Sequence, residues 1–292
     1  IGNVSRQGMR ELTERQAMYQ GQTINVAADE RTLFVVLADR IAAMAREAVE
    51  KDGLFTMLLS GGSTPRGLYQ RLATLSEDIM PWGKTYLFLG DERCVSHADS
   101  DSNYKMISDN LLSRISIPST NVFPTIRQDI DPEDSARIYE QTIRRFFKRS
   151  AEGTAGVENG TCEGEAAWLK PSSESACESK NMPIFSLAIM GLGPDGHTAS
   201  LFPDTAALAE EERLCVANFV PKFDTYRLTL TMPVFANCRQ LFFLVQGEGK
   251  TAIVQSVLKE PEKNYPAQQL IARCPQGAVE WYMDEACTSS LI

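Results

Sequence analysis

The chain holds two histidines in its 292 residues, His97 and His197. His197 lies in the stretch GLGPDGHTASLFP, two residues after Asp195 and among Gly191, Gly193 and Gly196. An imidazole titrates near neutral pH, as a general base should. A carboxylate two residues away can orient that ring or stabilise its cationic form. The plainer reading is a loop histidine in contact with water. Thr198 or Ser200 can cap a short helix before Pro203.

A second group of residues suits an anion. In SGGSTPRG, Gly61 and Gly62 let backbone amides approach an oxyanion, and Ser63 and Thr64 add hydroxyl donors. A helix starting at Pro65 adds the partial positive charge of its N-terminus. The alternative is a flexible turn with Ser or Thr as the helix cap. LGDERCV places Asp91, Glu92 and Arg93 after an apolar run. Arg93 can fork onto a phosphate or pair with a neighbouring carboxylate, and three consecutive charges commonly form a solvated loop. DSNY offers Asn103 for positioning, or Ser102 as a cap. Lys222 and Arg227, in VPKFDTYRLTLT, can complete a basic pocket or be surface charges. His97, in SHADSD, reads as a loop residue without a role.

These segments need a scaffold that gathers them. Leu33, Leu37, Ile41, Met44, Ala45 and Ala48 recur at helical spacing over 30–50. Further helices are expected from Pro65 to about residue 75, over 102–115, from Asp131-Pro132 through Phe147, and through Lys250 to Val257. Short continuous apolar runs at 54–60, 85–90, 184–190 and 240–247 fit strands covered on both faces. RLCVANFV and YRLTLTM are strand-like, and AVEWYMDEA (278–286) closes the series. Strands alternating with helices predict an α/β fold, a Rossmann-like, mostly parallel sheet with helices on both faces. Ligands bind such sheets beyond the carboxyl ends of the strands, at a topological switch point. The loops after residues 59, 90 and 190 are therefore expected to meet at one crevice. No G-x-G-x-x-G follows the first strand and no G-x-x-x-x-G-K-[ST] occurs, so dinucleotide and nucleoside-triphosphate readings lose their main support.

Residues 1–22 read as an N-terminal extension, including a possible helical leader, and 23–288 as a single catalytic domain. The Gly-, Ser- and Glu-rich stretch 151–182 reads as a solvated insertion. The net charge of −9 argues against nucleic acid as a partner, while converging Arg and Lys can still hold one phosphate. Seven scattered cysteines without a C-x-x-C, and so few histidines, leave neither a disulfide framework nor a metal site in view. No apolar run reaches membrane-spanning length, so no membrane partner is expected. A cytoplasmic monomer is the simplest expectation. The terminal SSLI only loosely matches a peroxisomal address, leaving an organellar or peroxisome-like pool as the other location.

Taken together, LSGGSTPRGLY (59–69), FLGDERCV (88–95), DSNY (101–104), MGLGPDGHTASLFP (190–203) and RLTLTMPVFANCRQLFFLVQGEGK (227–250) resemble the 6-phosphogluconolactonase family, in that family's order. The resemblance implies a sugar-phosphate isomerase/CoA-transferase-like fold. It implies hydrolysis of 6-phospho-D-glucono-1,5-lactone to 6-phospho-D-gluconate in the oxidative pentose phosphate pathway, with no cofactor and no metal. Carried over by motif, His197 is the base that activates water and Asp195 positions or polarises it. Arg93 and Arg227 hold the phosphate with the Gly61–Thr64 turn, Asn103 helps to position, and Lys222 matches a basic residue before the strand. The related glucosamine-6-phosphate deaminases resemble DEY where this chain has DER, and HIAFNEP where it has HTASLFP. A non-catalytic sugar-phosphate sensor on the same fold is a third reading; such sensors usually carry a DNA-binding domain.

Overall fold

In the computed structural model, residues 16–125, 130–152 and 182–288 are described. The insertion expected at 151–182 lies almost wholly outside them, as do residues 1–15. The strands are β1 (Gln16–Tyr19), β2 (Gln22–Ala27), β3 (Phe55–Leu59), β4 (Thr85–Leu89), β5 (Asp91–Arg93), β6 (Val122–Phe123), β7 (Leu187–Met190), β8 (Cys215–Val220), β9 (Thr225–Leu230), β10 (Leu241–Val245) and β11 (Val279–Asp284). The helices are α1 (Glu30–Asp52), α2 (Ser63–Leu72), α3 (Asn103–Asn110), α4 (Pro132–Ala151), α5 (Met232–Ala236), α6 (Thr251–Lys259), α7 (Pro266–Arg273) and α8 (Glu285–Thr288).

Eight strands form one sheet in the order β1-β2-β11-β10-β7-β3-β4-β6, parallel except for the β1–β2 hairpin. Every residue of β3, β4, β7 and β10 is buried, as their unbroken apolar runs require of strands covered on both faces. Alternation along β3 divides the core. Met57 and Leu59 face a cluster with Leu33, Leu37 and Ile41 of α1, Leu68 and Leu72 of α2, and Ile107 of α3. Leu58 faces the other cluster, with Tyr139, Ile143 and Phe146 of α4, Val254 of α6 and Leu270 of α7.

The chain runs from β3 outward through β4 to β6, then returns to β7 and proceeds the other way through β10 to β11. The topological switch therefore falls between β3 and β7, where the loops after Leu59 and Met190 begin.

Three elements differ from the sequence expectation. Gln16–Tyr19, assigned to an extension and a helical leader, is an edge strand. Its ladder runs from Gln16↔Asn25 to Tyr19↔Gln22, and Gln16 Nε2 donates to Asn25 Oδ1 at 2.9 Å. The charged triplet DER is a strand, not a solvated loop. It pairs antiparallel with β9, which also pairs with β8, in a separate three-stranded sheet. The stretch 198–203 forms no helix: Thr198 and Leu201 make a bridge, and the Thr198 and Ser200 hydroxyls are used elsewhere. Among the described residues, no helix is long and apolar enough to cross a membrane.

Candidate active site

The loops after β3 and β7 border one cleft of about 350 Å³, together with residues of β5, β9, β10, the start of α3 and the turn before α6. Gly61, Gly62, Ser63, Thr64, Arg93, Asn103, His197 and Arg227 all line it. Lys222 and Asp195 stand just behind His197.

The loop after β7 is folded around the imidazole. Gly193 N–H donates to His197 O at 2.8 Å and Gly196 N–H to Gly193 O at 3.1 Å. Thr198 Oγ1 donates to Gly191 O at 2.8 Å. The ring stacks on Phe202, with centroids 4.0 Å apart, and it lies so close to Gly193 that a Cβ there would sit 2.0 Å from Nδ1. Gly196 has φ +72, and a Cβ on it would come within 2.4 Å of Tyr265, the residue before α7. Both glycines are thus demanded by close approach, and Gly196 by its left-handed backbone as well.

His197 Nδ1 hydrogen-bonds Asp195 Oδ1, and Lys222 Nζ donates to Asp195 Oδ2 at 3.0 Å. Burial alone would raise the Asp195 carboxyl; the hydrogen bonds from His197 and Lys222 outweigh it and hold the pKa at about 2. An ionised Asp195 accepts only, so Nδ1 is the protonated nitrogen of the neutral ring and Nε2 carries the lone pair. That is the tautomer a general base needs. Lys222 therefore stands at the base end of the site, on Asp195, and does not line the cleft.

The other end is cationic. Arg93 and Arg227 are directly paired across β5 and β9. Arg93 Nη1 donates to Asp101 O at 2.6 Å, while Arg227 Nε is buried and has no partner among the described residues. Burial, and next the neighbouring Arg93, push the Arg227 pKa down, as expected of two cations drawn together where an anion can bridge them. Beside them, α2 starts from Gly62 at φ 105 with no side-chain cap. Asn103 Nδ2 donates to Asp91 O at 2.9 Å, and its buried Oδ1, over Gly61, has no partner among the described residues. Ser102, not Asn103, is the cap of α3, accepting from Lys105 N–H at 3.1 Å.

Two further residues carry charge into the cleft. Lys250 lines it, donates to Leu192 O at 2.6 Å, and has its pKa lowered by burial. In the sequence Lys250 marks a helix and ends the matching segment 227–250 but has no role assigned; the signal was a Gly-rich turn ending in a lysine shortly after a buried strand. Asp91 also lines the cleft and accepts from Ser200 Oγ at 2.7 Å.

A parallel α/β sheet with a cleft at its switch point, an imidazole backed by a carboxylate at one end and paired guanidinium groups at the other, defines a protein built to act on a small anionic molecule. The model of the glucosamine-6-phosphate isomerase/6-phosphogluconolactonase family matches residues 28–281, and the chain belongs to that family. A 6-phosphogluconolactonase of Synechocystis sp. is 34% identical over 248 residues, covering 84% of this chain and 88% of its own. A 6-phosphogluconolactonase of Nostoc sp. is 32% identical over 272 residues, covering 92% and 98%. The crystal structure of 6-phosphogluconolactonase from Leishmania guyanensis matches with a TM-score of 0.73 at 25% identity, covering 93% of this chain and 99% of that one.

Proposed function

We propose that this chain is a 6-phosphogluconolactonase, hydrolysing 6-phospho-D-glucono-1,5-lactone to 6-phospho-D-gluconate. The observation that carries the mechanism is the Lys222–Asp195–His197 chain ending at the same cleft as the Arg93–Arg227 pair. The phosphate lies against the two guanidinium groups and the Gly61–Thr64 turn, with Asn103 bracing that turn. Held at this remote end, the lactone presents C1 to His197, so binding energy at the phosphate is converted into orientation at the reacting carbon.

His197 Nε2 takes a proton from water as the water oxygen bonds to C1. The carbonyl electrons move onto oxygen, and cleft donors stabilise the oxyanion. The amides of Gly193 and Gly196 already serve the loop itself, which leaves that task to other amides of the cleft. When the intermediate collapses, the bond from C1 to the ring oxygen breaks and the imidazolium returns its proton to that oxygen. The product acid then ionises. General base catalysis of this kind supplies about 10²–10⁴-fold. No step requires a metal or a covalent nucleophile.

Relatives at 30% identity and above that are themselves named 6-phosphogluconolactonases favour lactone hydrolysis over deamination, and so do the DER and HTASLFP segments. A cytoplasmic monomer accompanies the reading; light scattering checks the mass. The decisive assay supplies freshly made lactone and follows hydrolysis above the spontaneous rate, with His197→Ala as control. Wild type should accelerate the reaction and the variant should lose about 10²-fold or more of that acceleration. An unaccelerated wild type, or release of ammonia from glucosamine 6-phosphate, would overturn the proposal.

A further inference from the structure

Glu92 is fully buried between two residues that face the cleft, and the proposed mechanism does not use it. Period-two alternation sends Asp91 and Arg93 toward the cleft and Glu92 the opposite way, toward the start of α3. Its carboxylate accepts four hydrogen bonds. Oε1 takes them from Arg93 N–H and Asn103 N–H, both at 2.7 Å. Oε2 takes them from Tyr104 N–H at 2.7 Å and Ser102 Oγ at 3.0 Å. Burial pushes this carboxyl above the ordinary carboxylate range, and the four donors only partly offset that rise. Three of the four are backbone N–H groups, which can only donate and so match acceptor oxygens on Glu92. The charge also lies against the N-terminus of α3, where a negative group is stabilised.

One carboxylate thereby ties the backbone of Arg93 to the first turn of α3. The consequence reaches the cleft through two side chains. Asn103 stands so close to Gly61 that a Cβ on that glycine would be 1.8 Å from Asn103 Oδ1. Arg93 reaches back to Asp101 O, immediately before the same turn. Moving the start of α3 moves the brace on the Gly61–Thr64 turn and one of the two guanidinium groups together.

We propose that Glu92 is a positioning residue that sets the geometry of the phosphate end of the cleft by clamping β5 to the start of α3. This deepens the lactonase reading and rests on it. The clamp touches no reacting atom, so its loss should appear in binding of the phosphate and not in chemistry at C1.

The test compares Glu92→Gln and Ser102→Ala with wild type, each checked by its thermal melt. Glu92→Gln keeps the shape but turns an acceptor toward donors as an NH₂; Ser102→Ala removes one donor and is the milder change. With 6-phosphogluconolactone, Glu92→Gln should raise KM by about tenfold with kcat within about threefold. The rate with glucono-1,5-lactone, which lacks the phosphate, should not change. Ser102→Ala should give a smaller KM rise on the phosphorylated lactone alone. Inorganic phosphate titrated by calorimetry reads the same end without turnover, and Glu92→Gln should weaken it by about tenfold. A folded Glu92→Gln with wild-type KM and phosphate affinity overturns the clamp, as does an equal loss on both lactones. A wild type inactive on the lactone sinks the lactonase reading instead, and the phosphate titration still decides the clamp.

Discussion

Replacing Gly193 with alanine puts a methyl group where the imidazole of His197 now lies. The added Cβ would stand 2.0 Å from both Cε1 and Nδ1 of the ring, whereas ordinary contact begins near 3.4 Å. The ring must therefore retreat by about 1.4 Å. It has little room, because Phe202 stacks on it at 4.0 Å and Asp195 holds its Nδ1. A misplacement of about 1 Å at a reacting group costs about 10²-fold in rate. Gly193→Ala should then lower kcat for lactone hydrolysis by about 10²-fold or more and leave KM within a few-fold, since the phosphate end is untouched. Initial rates on fresh lactone, corrected for spontaneous opening, measure both constants, and a thermal melt checks the fold. The double variant Gly193→Ala/His197→Ala should be no slower than His197→Ala alone, because both changes remove the same base. A folded Gly193→Ala enzyme with wild-type kcat would refute the idea that the glycine exists to seat the base.

Lys222→Met removes the outer partner of Asp195. Lys222 is more than half exposed, and exposed ion pairs contribute ~0.2–1 kcal/mol, so kcat should fall only a few-fold with KM unchanged; a large rise in KM would put Lys222 on the phosphate instead. Asp195 also predicts an acid dependence of stability. Its folded pKa, about 2, lies below the ordinary 3.8, so its contribution is complete above pH ~4 and is lost as pH falls toward 2. Urea melts should show a flatter acid limb over that window for Asp195→Asn, and an unchanged limb would contradict the assignment. Gly61→Ala places a Cβ 1.8 Å from Asn103 Oδ1 and should raise KM for the phosphorylated lactone with little change in kcat.

The parallel sheet is legible because its strands are buried on both faces and so leave continuous apolar runs. Expected strands at 54–60, 85–90 and 240–247 correspond to Phe55–Leu59, Thr85–Leu89 and Leu241–Val245. The loops after two of these, and after β7, then follow from topology, and with them the position of His197. Lys250 escaped notice because a lysine at the start of a helix looks like any solvated charge, and only the fold turns it toward Leu192 O.

In the second sheet β8 and β9 follow the strand-like segments RLCVANFV and YRLTLTM, and β5 alone was hidden, for a different reason. β5 is three charged residues, with no apolar signal to announce a strand, and its stability comes from the β9 ladder and the four donors around Glu92. Yet this sheet brings Arg227 across 134 positions of sequence to lie opposite Arg93. The chemistry depends on that register. A slip of one residue would turn every side chain of β5 to the opposite face. Arg93 would leave the cleft and Glu92 would enter it, placing a carboxylate where the phosphate is proposed to bind. The buried Glu92 clamp opposes that slip, because three of its four donors, Ser102 Oγ and the Asn103 and Tyr104 amides, stand at the start of α3. The charged triplet that looked like a solvated loop is thus explained by burial of its middle residue, which keeps its two neighbours facing the cleft.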